Sequence, residues 1–194
     1  MPTDTFTIVD EAHDGYVQRT GATYPPTGSF NVVTNGISVE NSLKAGPTYD
    51  VRVTLLRWDT SSIPDNAVIT EAVLRTWTLG RQDDDGRNVT ADWYDAGTIA
   101  DDDWTSTAGT DAHAGTTLEH WSGDPGDRDI SLINLENINK TGVTGLRLHI
   151  DGGEPTVGEN WISFVSFGDD EATSARLVVT HSDPQTFPRA IELV

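Results

Sequence analysis

The apolar residues of this chain come in short bursts, each closed by residues that interrupt regular structure. "TFTIV" (Thr5 to Val9), "SFNVV" (Ser29 to Val33), "GISVE", "YDVRVTLLRWD" (Tyr49 to Asp59) and "AVITEAVLRTWTL" (Ala67 to Leu79) come first. "RNVTADWY", "GLRLHID", "NWISFVSF" and "SARLVVTH" follow. Between them lie clusters such as "GATYPPTG", "NSLKAGP", "QDDDG", "GDPGDRD" and "DGGEPTVG". Runs this short, rich in β-branched and aromatic residues and punctuated by Gly, Pro, Asp and Asn, predict an all-β sandwich or barrel. "GLRLHI" alternates, with Leu146, Leu148 and Ile150 on one parity and Arg147 and His149 on the other. In the Ala67–Leu79 run, Val68, Ala72 and Leu74 share one parity and Val73, Trp77 and Leu79 the other. Only "SLINLENINK" (Ser131 to Lys140) suggests helix, of about a single turn behind the cap candidate Ser131. No solenoid period recurs. One domain over residues 1–181 is expected, with residues 182–194, "SDPQTFPRAIELV", as a C-terminal arm.

Charge narrows the partners. Thirty-one acidic residues against 12 basic ones leave a formal net charge of -19. A duplex needs Lys and Arg gathered on one face, so nucleic acid is not an expected partner. Such acidity keeps a chain soluble and self-repelling, and also suits high salt, where the repulsion is screened. No apolar run approaches the roughly 20 residues of a membrane helix, so membrane insertion is not expected. The N-terminus shows neither a basic nor an apolar leader region, and no export signal is expected. Without cysteine there is neither a disulfide framework nor a thiolate metal site.

"LLRWDTSSIPDNAVITEAVLRTW" (Leu55 to Trp77) is the most legible stretch. Arg57 and Asp59 lie two apart on one strand face. Asp59 is expected to cap the turn through Ser61 and Ser62, Pro64 to end the pairing, and Ala72 to admit a close neighbour. None of these roles requires a ligand. This stretch, followed by "DISLINLENI", "GLRLHI" and "FVSFGDDEATSARLVV", resembles the DNRLRE-type, disaggregatase-related carbohydrate-binding modules. The resemblance runs from about Asp14 to His181. It implies a jelly-roll β-sandwich of two antiparallel sheets with at most one short helix, and a surface-polysaccharide ligand. It also places Trp104 and Trp121 at positions where that family keeps tryptophans around a packed loop.

Six tryptophans supply aromatic planes for a sugar's C–H face. Trp58 and Trp77 sit in strong strands and are expected in the core, while Trp161 begins a strand and is open to either role. Trp93, Trp104 and Trp121 lie in looser, acidic surroundings and are the candidate ligand-binding residues, with packing as the competing role. Tyr24 in "TYPPTG" is a further exposed aromatic candidate. For metal, "RQDDDGRN" offers Asp83 and Asp85 to a structural calcium, although Arg81 occupies the first EF-hand position and no Glu stands at the twelfth. "DDDW" (Asp101 to Trp104) and "GDDE" (Gly168 to Glu171) are equal candidates. No cofactor is required. The five histidines form no catalytic or zinc signature, though His113 and His120 could meet in space. Asn88-Val-Thr and Asn139-Lys-Thr match the glycosylation acceptor pattern and are taken as incidental.

The expectation is therefore a non-enzymatic protein. One reading is a virion part (capsid decoration, turret or tail-associated module) that forms a cyclic homo-oligomer, contacts other virion proteins and binds host-surface glycans. The alternative is an extracellular carbohydrate-binding module of a polysaccharide-degrading enzyme.

Overall fold

The computed structural model describes residues 1–27, 30–101, 103, 109–122, 127–156 and 158–182. Trp104, the Asp102 carboxylate and the arm from residue 183 onward lie outside the described residues. The chain is all-β, with twelve antiparallel strands among the described residues. The strands are β1 (Thr3–Thr7), β2 (Asp14–Gly21), β3 (Phe30–Thr34), β4 (Ile37–Lys44), β5 (Thr48–Asp59) and β6 (Ile69–Asp83). Then come β7 (Asn88–Trp93), β8 (Thr110–Thr117), β9 (Asp127–Ser131), β10 (Val143–Ile150), β11 (Asn160–Phe164) and β12 (Arg176–His181). The α-helix described, α1 (Leu118–Trp121), is four residues long and capped by Thr117 Oγ1, which accepts the His120 N–H. In the segment expected to be helical, Leu135–Asn137 forms a single 3-10 turn.

The two expected sheets are joined into one curled ladder, because β6 belongs to both. Its first half pairs with β12 (Ile69 to Arg75) and β9 (Val73 to Trp77), and its second half with β11 (Thr78 to Asp83). A 15-residue strand is long enough to leave one layer and enter the other. The second layer runs β11-β4-β5-β10-β7-β8, with β2 beside β5 and β3 beside β2.

The core follows strand parity. Leu56 and Trp58 of β5, Ala72 and Leu74 of β6, Leu146 and Leu148 of β10, Ile162 and Phe164 of β11, and Leu177 and Val179 of β12 all enter it. Trp77 does not. It shares parity with Leu79, which is 60% exposed, and lies half-buried on the outer face, which corrects the expectation of a core tryptophan. Val68, on the core parity, is also exposed, because β6 pairs only from Ile69 onward.

The Leu55–Trp77 stretch is structural, as its residues imply. Asp59 Oδ1 accepts the Ser61 N–H at 3.0 Å, and the Ala67 N–H closes the Pro64 turn at 2.9 Å. Arg57 does not turn to Asp59; its Nε reaches Asp95 at 2.6 Å, across to the loop after β7. That loop covers the outer face of the second layer, where Val17, Leu55 and Ile99 form a small separate core.

Candidate functional site

β5 explains where a site can form. Both β2 and β4 pair with Tyr49 to Arg52, so they lie on opposite edges of β5. From Thr54 onward β10 takes over the edge that β4 held. The Thr54 hydroxyl fills the fork: Oγ1 accepts the Ser38 N–H at 2.9 Å and donates to the Ser38 carbonyl at 2.8 Å. These bonds satisfy β4 backbone groups that would otherwise be orphaned where the strands part. Asp50 and Arg52 share the parity of Leu56 and Trp58 but lie past the fork, outside the core cluster.

There the face becomes polar and opens. A cleft of about 240 Å³ is lined by Ser38, Glu40, Lys44, Arg52, Trp161 and Ser163. Glu40 is 1% exposed and stands opposite Arg52 in the ladder. Its Oε1 lies 3.0 Å from Lys44 Nζ and its Oε2 3.0 Å from Arg52 Nη2. Asp50 takes the same Lys44 at 3.0 Å and accepts from Gln18 Nε2 at 2.8 Å. Arg52 also rests over the Tyr16 ring, 5.5 Å from its centroid. Two carboxylates thus face two cations. Burial pushes the Glu40 carboxyl up, and the Arg52 charge only partly offsets it. Lys44 is held above the usual ammonium value: burial opposes its charge, but the Asp50 and Glu40 carboxylates outweigh it.

Trp161 forms the aromatic wall. It shares parity with Ser163, while Ile162 and Phe164 point into the core. Its ring lies across Gly80, where an added Cβ would touch ring carbons at 3.5 Å. Its Nε1 donates to Glu159 Oε2 at 3.2 Å, which fixes one edge of the half-buried ring. Trp161 was open to either role on sequence, and the structure places it beside the polar cluster.

The tryptophans singled out as ligand-binding lie elsewhere. Trp121 is fully buried in α1, edge-on to His113 and tilted against Phe164. Trp93 is 6% exposed and donates its Nε1 to the Ile133 carbonyl at 2.7 Å. Neither presents a ring face for stacking, so both pack rather than bind. Tyr24 is half-buried, edge-on to Tyr49 at 5.5 Å, and its hydroxyl accepts from Asn41 at 3.4 Å.

The Asp83–Asp85 loop already holds a cation, its own Arg87. Asp85 Oδ2 accepts from Arg87 Nε at 3.0 Å and Nη2 at 2.9 Å. The same guanidinium donates to the Asp151, Gly153 and Glu154 carbonyls at 3.1, 2.9 and 3.1 Å. Asp83 Oδ1 accepts the Arg87 N–H at 3.1 Å. The Arg87 hydrogen bond holds the Asp85 carboxyl below the usual range. A guanidinium thus stands against Asp85 in the loop where calcium was expected. Among the described residues no three His, Cys, Asp or Glu side chains are grouped to hold a metal.

The nearest approach to a catalytic set is Thr90, His149 and Asp92. Thr90 Oγ1 lies 3.1 Å from His149 Nδ1 and 3.0 Å from Nε2, and Asp92 Oδ2 meets the same Nε2 at 3.2 Å. A relay holds the hydroxyl on one ring nitrogen opposite the carboxylate, whereas Thr90 Oγ1 is shared between both nitrogens and also donates to the His149 carbonyl at 3.3 Å. Asp92 is moreover committed to Arg147, whose Nε donates to it at 3.1 Å. His113 and His120 do approach each other. His113, however, donates Nδ1–H to the Ser131 carbonyl at 3.2 Å and has Thr116 Oγ1 on Nε2 at 3.1 Å. Burial pushes its pKa down.

No family model matches the chain, and no curated protein shows significant similarity to it.

Proposed function

We propose that the protein is a non-enzymatic saccharide-binding β-sandwich that takes a sugar ring in the cleft beside Trp161. The half-buried Trp161 ring, which lines the cleft, carries this reading. It stands over a cleft whose other walls are hydrogen-bonding side chains, the combination a sugar needs for its C–H face and its hydroxyls. Glu40, Asp50, Lys44 and Arg52 balance in charge, which favours a neutral saccharide over a uronate or sulfated one. The resemblance to carbohydrate-binding modules supports the same class of ligand.

The test is a glycan screen followed by titration calorimetry on any ligand found. Trp161→Ala should weaken binding about tenfold or more, or about 1.4 kcal/mol. Trp93→Phe should leave affinity unchanged. A Trp161→Ala variant that binds as the parent does would end the reading.

A virion or other cyclic assembly of identical chains is a second reading. A groove of about 410 Å³ beside the 64% exposed Val68, lined by the apolar Ala67, Ile69, Leu135 and Ile138 together with Glu136 and Lys140, favours it. The partner it fits is a second copy of this chain. Light scattering in low and molar salt tests it: a discrete oligomer that Val68→Asp dissociates supports assembly, and a monomer in both salts rejects it.

A further inference from the structure

Asp14 opens β2 and is fully buried. Its Oδ2 accepts the Phe167 N–H at 2.7 Å, while its Oδ1 has no hydrogen-bond partner among the described residues. The charged groups that act on it, Asp169 and Glu11, are both acidic. Three chain segments converge at this point. Asn35, in the turn between β3 and β4, adopts a φ of 67° and donates its N–H to the Asp14 carbonyl at 2.9 Å. Its Oδ1 accepts the Gly168 N–H at 2.7 Å and lies 3.2 Å from Ser166 Oγ. Ser166 Oγ and N–H bond Asp169 Oδ2 at 2.8 and 3.1 Å. Gly168 is required, because a Cβ there would fall 2.0 Å from the Asn35 side chain.

A buried carboxylate oxygen with no donor, beside a second carboxylate and without a counter-cation, is costly unless something neutralises it. Every side-chain group gathered here offers oxygen. Hard divalent cations take six to eight such ligands, amide and backbone carbonyls and water included, so two carboxylates suffice. We propose that Asp14 and Asp169, with water completing the shell, bind one calcium-like divalent cation that ties the start of β2 to the loop between β11 and β12. This site is separate from the Arg87 loop. It is also independent of the saccharide cleft, and either can fail alone.

The full chain is stripped with chelator. Thermal unfolding is then followed in 1 mM CaCl2 and in NaCl of equal ionic strength, with calcium stoichiometry measured by equilibrium dialysis. Calcium should raise Tm by about 5 °C at a hundredfold excess over Kd. One tight ion per chain should be retained. Asp14→Asn and Asp169→Asn should each lose the shift and the tight ion, whereas Asp85→Asn should keep both and control for loose binding to surface acids. If Asp14→Asn does not fold by circular dichroism, Asp169→Asn alone decides. A parent Tm indifferent to calcium, or either folded Asp14 or Asp169 variant keeping the response, would overturn the proposal.

Discussion

Asp14 and Asp92 are both carboxylates sunk in the second layer, and they differ in what faces them. Asp92 meets the Arg147 guanidinium, itself 5% exposed, and the His149 ring. Asp14 meets backbone N–H groups and two further acids. The consequences have opposite sign. Burial pushes Asp92 up, yet the hydrogen bonds from His149 and Arg147 outweigh it and hold the carboxyl below its ordinary value. Burial pushes Asp14 up to about 6, with the Phe167 N–H and its own backbone N–H too weak to offset it. Depth alone therefore does not set the cost of a buried charge. Whether a second buried group of opposite sign comes with it does.

The harshest way to break the comparison is to make Asp92 resemble Asp14. Arg147→Met leaves the buried Asp92 carboxylate with the His149 ring but no guanidinium, and removes the cation that lies over the Tyr94 ring. The expected cost is about 3–5 kcal/mol in urea denaturation, and the double variant Asp92→Leu/Arg147→Met should recover most of it. A single variant within about 1 kcal/mol of the parent would show that the pair is not a closed unit.

The converse change relieves Asp14. Its folded pKa lies above the unfolded 3.8, so the folded state holds the proton more tightly. Its favourable contribution is complete below pH 3.8 and is lost as pH rises through about 6. Asp92 behaves oppositely: its contribution is present above the unfolded value and is lost as pH falls through its depressed folded value. In chelated buffer at pH 8, Asp14→Asn should gain up to about 3 kcal/mol, the equivalent of roughly two pKa units. The gain should vanish near pH 4. Denaturant midpoints across that range check it, and a gain independent of pH would assign the effect to packing.

These two carboxylates also mark what can be read from a linear chain. Arg147 and His149 stand on the polar parity of an alternating strand, so their shared face is visible in "GLRLHI". That Asp92 would lie beneath them is not, because a register between β7 and β10 has to be known first. Asp14 and Phe167 are 153 positions apart, and no periodicity links them. Strands with two apolar faces to satisfy, such as β5 and β6, announce themselves. β8 does not, since "TDAHAGTT" buries only Ala112, and β9 brings Ile130 alone into the core. α1 is too short for a 3.6-residue period to show, although Leu118 and Trp121 stand one turn apart. The cleft was half legible. In "NWISF", Trp161 alternates with Ile162 and Phe164 and so shares its face with Ser163, which separates it from the core tryptophans. The polar residues it faces come from β4 and β5, more than a hundred positions earlier, and only the fork at Thr54 opens the space between them.

Glu40 gives the smallest expected effect and the sharpest distinction. It is as buried as Asp14 and, like Asp92, touches cations, two of them at 3.0 Å. Yet its pKa is raised, burial winning over Arg52. The difference lies in the partners: the Lys44 and Arg52 side chains are 34% and 23% exposed, against 6% for Arg147. Water reaches the two cleft cations and screens them, so their attraction is worth less than that of a buried guanidinium. With its folded pKa above the unfolded 4.5, Glu40 favours folding most when protonated, and that contribution is lost as pH rises through the folded value. A neutral isostere should therefore be tolerated. Glu40→Gln is expected within about 1 kcal/mol of the parent at pH 7 in urea denaturation. A loss of about 3 kcal/mol or more would instead make Glu40 a buried pair of the Asp92 kind. The cleft would then be too tightly closed on itself to exchange its ion pairs for a ligand's hydroxyls.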